Sequence, residues 1–125
     1  MKLSWRSMRH LLVAVALAAA ACSSATGPQP AARTGALPRL VFFMNPNGLP
    51  CQMQDRILRE VSSELSGRAE LVYYRTTEPA DIPQFGRYGV RSLPLLLVTD
   101  ASGAELRRAT PGIQSPDQVR DLLGP

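Results

Sequence analysis

Residues 37–125 are predicted to fold as a small α/β sandwich, with one mixed four-stranded sheet and helices on both faces in the order β-α-β-α-β-β-α. Three observations predict it. Two short apolar runs, at 40–44 and 93–99, are bounded by turn residues in the manner of buried strands. Between them Ile57, Leu58, Val61 and Leu65 recur at helical spacing. Near the end, Ser115-Pro116-Asp117-Gln118 has the form of a capping box with proline at the first helical position.

The elements follow in order. Leu40-Val-Phe-Phe-Met44 reads as a buried strand, and Asn45-Pro46-Asn47-Gly48 breaks the chain after it. A helix is expected from Pro50 to Leu65, stopped at Gly67. Glu70-Leu-Val-Tyr-Tyr-Arg75 is the second strand. A short helix over 80–88 uses Ile82, Phe85 and Tyr88 as apolar contacts and ends at Gly89. Leu93-Pro-Leu-Leu-Leu-Val-Thr99 is apolar throughout and is therefore placed centrally. Asp100 to Gly103 is a turn, residues 105–109 return as an edge strand, and the last helix carries Val119, Leu122 and Leu123. On that edge Arg107 and Arg108 are expected to discourage strand pairing with other chains.

Ahead of this domain, residues 1–21 have the pattern of a secretory signal peptide. Lys2, Arg6 and Arg9 precede an uncharged apolar stretch from Leu11 to Ala21. That stretch is shorter than the roughly 20 residues a membrane span needs. It ends at Ala19-Ala20-Ala21-Cys22-Ser23, which resembles a bacterial lipobox with Cys22 as the lipidated residue, although Ala19 stands where leucine is usual. Ordinary cleavage at an A-x-A site is the alternative, giving a soluble periplasmic or secreted protein. Residues 22–36, rich in Ser, Thr, Gly, Pro and Ala, are read as the lipidated N-terminus and a flexible tether. By resemblance, Ser23 after the cysteine favours the outer membrane, with the domain facing the periplasm.

The 125-residue chain carries 14 Lys+Arg against 10 Asp+Glu and a single His. Removing the first 21 residues takes away Lys2, Arg6, Arg9, His10 and Trp5, and most of the net charge of +4 goes with them. The folded part then holds no histidine and no lysine. Ser-His-Asp and Cys-His catalysis, histidine-ligated zinc and lysine Schiff-base chemistry are therefore excluded within it. Its arginines are scattered among acids, so nucleic acid is not an expected partner. No cofactor and no metal are expected.

A strand leads into a turn, a Pro50-Cys51 pair opens a helix, and about 40 residues later Leu93-Pro94 precedes a central strand. With Tyr88-Gly-Val-Arg-Ser-Leu-Pro94 and Gly112 before the last helix, this arrangement resembles the thioredoxin family over nearly all of residues 37–123. The resemblance implies a thioredoxin-like fold with a cis proline at 94. It also implies an active-site loop at Asn47, Gly48, Leu49 and Pro50, and an extended substrate peptide docked against the backbone at Leu93 and Pro94. The departure lies in the chemistry. Where the family has Cys-x-x-Cys, this chain has Gly48-Leu49-Pro50-Cys51, so the nucleophilic cysteine is missing and the resolving one remains. The family's tryptophan falls on Asn47, its buried acid on Phe42 and its lysine on Tyr74.

Cys51 is the candidate catalytic thiol, set at a helix start where thiol exchange is favoured and with Gly48 expected to open a path to it. The resemblance implies thiol-disulfide redox on other envelope proteins through this one cysteine. A redox-inactive module that docks extended peptides is the alternative, with Cys51 as a small core residue. A copper(I) carrier using Met44, Cys51 and Met53 is the third reading, set against methionines that merely fill space. A Cys22–Cys51 disulfide would require an unlipidated Cys22.

Overall fold

The computed structural model describes residues 35–125. The signal peptide, Cys22 and most of the tether lie outside the described residues. The described elements are β1 (Arg39–Met44), α1 (Leu49–Glu60), α2 (Ser62–Leu65), β2 (Glu70–Arg75), α3 (Ile82–Arg87), β3 (Leu95–Thr99), β4 (Glu105–Arg108) and α4 (Pro116–Leu123). The sheet runs β2-β1-β3-β4. β1 pairs parallel with β2 and antiparallel with β3, and β4 runs antiparallel to β3 along the edge. This is the expected mixed four-stranded sheet.

The period of two along β1 divides the core. Leu40, Phe42 and Met44 join Leu58, Val61, Leu65, Leu96, Val98 and Val119 on the face covered by α1 and α4. Val41 and Phe43 face the opposite way, with Leu95, Leu97 and the α3 side chain Phe85, and Tyr88 just beyond that helix. Phe43 meets Tyr74, Phe85 and Tyr88 at ring-centre distances of 5.2, 5.1 and 5.7 Å. Such tilted and edge-on pairs add to simple area burial.

Three boundaries differ from the sequence expectation. The first helix does not run unbroken to Leu65, because Val61 leaves helical geometry at φ −93° and ψ 5°. The Ser62 hydroxyl donates to the Arg59 carbonyl at 2.7 Å, a local bond that competes with continued helix. The stripe survives the break, since Val61 and Leu65 remain buried. α3 begins at Ile82, which is 48% exposed and is not the core contact expected of it. Asp81 turns back to accept the Arg75 N–H at 2.9 Å, and this closes the loop before the helix. β3 begins at Leu95, because Pro94 has no N–H to give a ladder. The Leu93–Pro94 bond is cis, as the resemblance implied.

On the edge strand, the two arginines bind within the domain. Arg107 donates to the Leu122 carbonyl at 3.1 Å and Arg108 to the Tyr88 carbonyl at 2.6 Å, tying β4 to the ends of two helices. Among the described residues, no helix is long and apolar enough to cross a membrane.

Candidate functional site

The turn between β1 and α1 is built by its own side chains. Asn45 Oδ1 accepts the Asn47 N–H at 3.0 Å, an Asx turn, and the Asn45 carbonyl accepts the Gly48 N–H at 3.0 Å. Gly48 is the N-cap of α1 and Pro50 lies in the first turn, where a missing N–H costs nothing. Gln52 binds back to the Pro46 carbonyl at 2.9 Å. The sequence-predicted residues Asn47, Gly48, Leu49, Pro50 and Cys51 are thus brought together around one helix start.

Cys51 is 2% exposed and belongs to the core cluster on the α1 face. Its Sγ accepts the Asn45 N–H at 3.3 Å. The absence of a side chain at Gly48 does not uncover this sulfur, contrary to expectation. The three atoms nearest to where a Gly48 Cβ would stand all belong to Asn45, the closest being its carbonyl oxygen at 3.4 Å. The Asn45 end of the turn lies against the thiol through its N–H. Leu93 packs against the same cluster and also against the one on the opposite face of the sheet. At the surface beside them, Leu49 is 63% exposed.

The sulfur trio does not converge. Met44 is buried with Cys51, whereas Met53 points away at 44% exposed and takes no part in the cluster. Among the described residues, no group of three or more His, Cys, Asp or Glu could hold a metal ion.

Phe42 is fully buried and offers no proton acceptor. Tyr74 does not answer it across the sheet, because it packs on the opposite face against Phe43. The register pairs Phe42 with Tyr73, whose ring meets it edge-on at 5.5 Å. Arg75 places its guanidinium 5.0 Å from the Tyr73 ring centre, so a basic residue is present on this face one position beyond the one matched from sequence. The Tyr73 hydroxyl donates to Asp55 Oδ1 at 2.8 Å, and Arg59 binds the other carboxylate oxygen. Burial, reinforced by that carboxylate, pushes the Tyr73 phenol up to about 12.

Two further residues carry no signal in the sequence. Gln54, one turn beyond Cys51, is completely buried, and its amide is paired with the backbone of Gln114 before α4. A glutamine on an amphipathic helix ordinarily reads as solvated, and no spacing rule links positions 60 residues apart.

The helix-start cysteine, the cis proline and the sheet order define the fold, and comparison with known proteins decides the family. A thioredoxin from Rickettsia felis is 31% identical over 87 residues, covering 70% of this chain and 79% of the relative. The chain belongs to the thioredoxin family. A Rickettsia conorii thioredoxin is 29% identical over the same extent. Among solved structures, an uncharacterized thioredoxin-like protein from Clostridium perfringens superposes with a TM-score of 0.62 at 21% identity, covering 70% of this chain and 68% of its own. Chloroplastic thioredoxin z gives 0.56 at 26% identity, covering 70% and 76%. Thioredoxin-2 of the malaria parasite, a component of its protein secretion machinery, gives 0.60 at 16% identity, covering 70% and 81%. No family model matches the chain. This thioredoxin family member has a cis proline at 94 and opens α1 with Gly48-Leu49-Pro50-Cys51.

Proposed function

We propose that this protein is an envelope thioredoxin-like lipoprotein, anchored through Cys22 and facing the periplasm, that exchanges thiols and disulfides with other envelope proteins through Cys51. The observation that carries the reading is the placement of Cys51 in the first turn of α1, in a chain whose Leu93–Pro94 bond is cis. A partner peptide paired along Leu93 would present its disulfide to that helix start. The Cys51 thiolate attacks one partner sulfur, a Cys51–partner disulfide forms, and the partner's S–S bond breaks. The departing sulfur leaves as a thiolate and takes a proton from water. A second thiol, from the partner or from glutathione, then attacks the mixed disulfide and returns Cys51 to its thiol. Because Cys51 is 2% exposed, exchange proceeds from a locally opened helix start.

The burial of Cys51 favours a second reading, a redox-inactive module that docks extended peptides at Leu93 and Pro94. One experiment separates the two. Cells are quenched with acid, free thiols are blocked, and disulfide-linked adducts of the full chain are resolved without reductant. Adducts that vanish in Cys51→Ser support exchange. Their absence, combined with peptide binding that survives Cys51→Ser, would establish the docking module instead.

A further inference from the structure

We propose that Gln54 is a positioning residue that fixes the Cys51 helix against the peptide-docking backbone at Leu93–Pro94. The inference rests on the reading of the site given above and names a residue that the reading does not use.

Gln54 is 0% exposed, in a position where an apolar side chain would bury α1 without any polar partner. A buried primary amide is costly unless both its ends are satisfied. Here both are, by a single residue. Gln54 Oε1 accepts the Gln114 N–H at 2.5 Å, and Gln54 Nε2 donates to the Gln114 carbonyl at 3.3 Å. The side chain thus joins α1 to the loop before α4 in the manner of a strand pair.

That loop is itself held in one shape. The Gln114 side chain donates to the Thr110 carbonyl at 2.8 Å and to the Gly112 carbonyl at 3.2 Å. Gly112, at φ +123°, turns its N–H onto the Pro94 carbonyl at 2.9 Å. Only glycine adopts that backbone readily. The result is a continuous path of hydrogen bonds from the thiol helix through Gln54, Gln114 and Gly112 to Pro94. Leu93 lies just beyond its end, and its own N–H and C=O make no backbone hydrogen bond among the described residues. A docked peptide would take those groups, so its distance from Cys51 is set by the path. Thiol exchange requires the attacking sulfur to meet the disulfide in line, and small misplacements slow such steps steeply.

The test compares two disulfides on the full chain: a short peptide disulfide able to pair as a strand, and 2-hydroxyethyl disulfide, which is too small to dock. Mixed-disulfide formation at Cys51 is followed by mass spectrometry at saturating peptide. Gln54→Met, which keeps the volume and removes the amide, is expected to slow the peptide reaction by roughly 10- to 100-fold. The small-disulfide rate should change by less than about twofold, since it needs no register with Leu93. Equal slowing with both disulfides would mean that Gln54 only supports the fold, and no slowing with either would also overturn the proposal. If Gln54→Met fails to fold, Gln114→Ala keeps the backbone bonds to Gln54 and frees the loop from Thr110 and Gly112. It should show the same selective loss, and an unchanged peptide rate would overturn the proposal. A wild-type chain that reacts with neither disulfide would overturn the exchange reading itself, and this inference with it.

Discussion

At the residue scale, the ionisable group on the α1 face of the sheet comes from the helix. Phe42 supplies bulk where the family resemblance implied an acid, and Asp55, one turn further along α1 from Cys51, holds a carboxylate against Tyr73 and Arg59. The consequence can be read in alkali. Tyr73 keeps its proton up to about 12 in the folded protein, against 10.0 for the free side chain, first because of burial and then because Asp55 accepts its hydrogen bond. A pKa raised in the folded state stabilises the fold below the unfolded value and loses that contribution as pH climbs toward the folded one. An ultraviolet titration should therefore show a phenol step near 12 that Tyr73→Phe removes. Denaturant midpoints should fall more steeply between pH 10 and about 12 in the wild type than in Tyr73→Phe. Parallel curves for the two proteins would count against the buried phenol.

At the element scale, α4 is the case in which local sequence and structure agree most fully. Ser115 Oγ accepts the Gln118 N–H at 3.3 Å, while Gln118 Oε1 accepts the Ser115 N–H at 2.8 Å, the reciprocal pair its four-residue pattern predicts. Ser115→Ala removes one of the two bonds at the start of a helix whose Val119 is fully buried. It is expected to lower stability by about 1 kcal/mol, read as a shifted urea midpoint with an unchanged slope. Capping was legible because it is written within four residues. So were the strands, whose apolar period is local, and the cis proline, which came with the family pattern around Leu93-Pro94. The break at Val61 was not legible, because Ile57, Leu58, Val61 and Leu65 keep their stripe across it while the Ser62 hydroxyl takes the Arg59 carbonyl. That Tyr73 and not Tyr74 faces Phe42 depends on the parallel register of β1 and β2, which neither segment alone reveals. Gln54 and Gln114 carry no signal in either segment alone. Their pairing depends on a contact between residues 60 positions apart.

At the scale of the whole molecule, the fold forms without a second cysteine at the start of α1. The two-sided core, the sheet order, the cis Leu93–Pro94 bond and the Gly112 contact to Pro94 all form with glycine at position 48. Nothing local at Gly48 requires glycine either. Its backbone, at φ −91° and ψ 124°, suits any L residue, and an added Cβ would make ordinary contact with the Asn45 carbonyl at 3.4 Å. Gly48→Cys is therefore expected to fold and to give a Cys-x-x-Cys at the α1 start. In a glutathione redox buffer the variant should close a disulfide between Cys51 and the introduced thiol. That closure would be seen as loss of two hydrogens in the intact mass and protection of both sulfurs from alkylation. With dithiothreitol as the electron source it should reduce insulin catalytically, whereas the wild type should not exceed the uncatalysed rate. Turnover should still fall short of a dithiol member of the family by about 100-fold, the typical worth of a positioned proton acceptor, because Phe42 offers none. A variant that folds but leaves both sulfurs open to alkylation would show that the Asn45–Gly48 turn has diverged beyond dithiol geometry. A variant as fast as its relatives would show that Asp55 and Tyr73 supply what Phe42 does not.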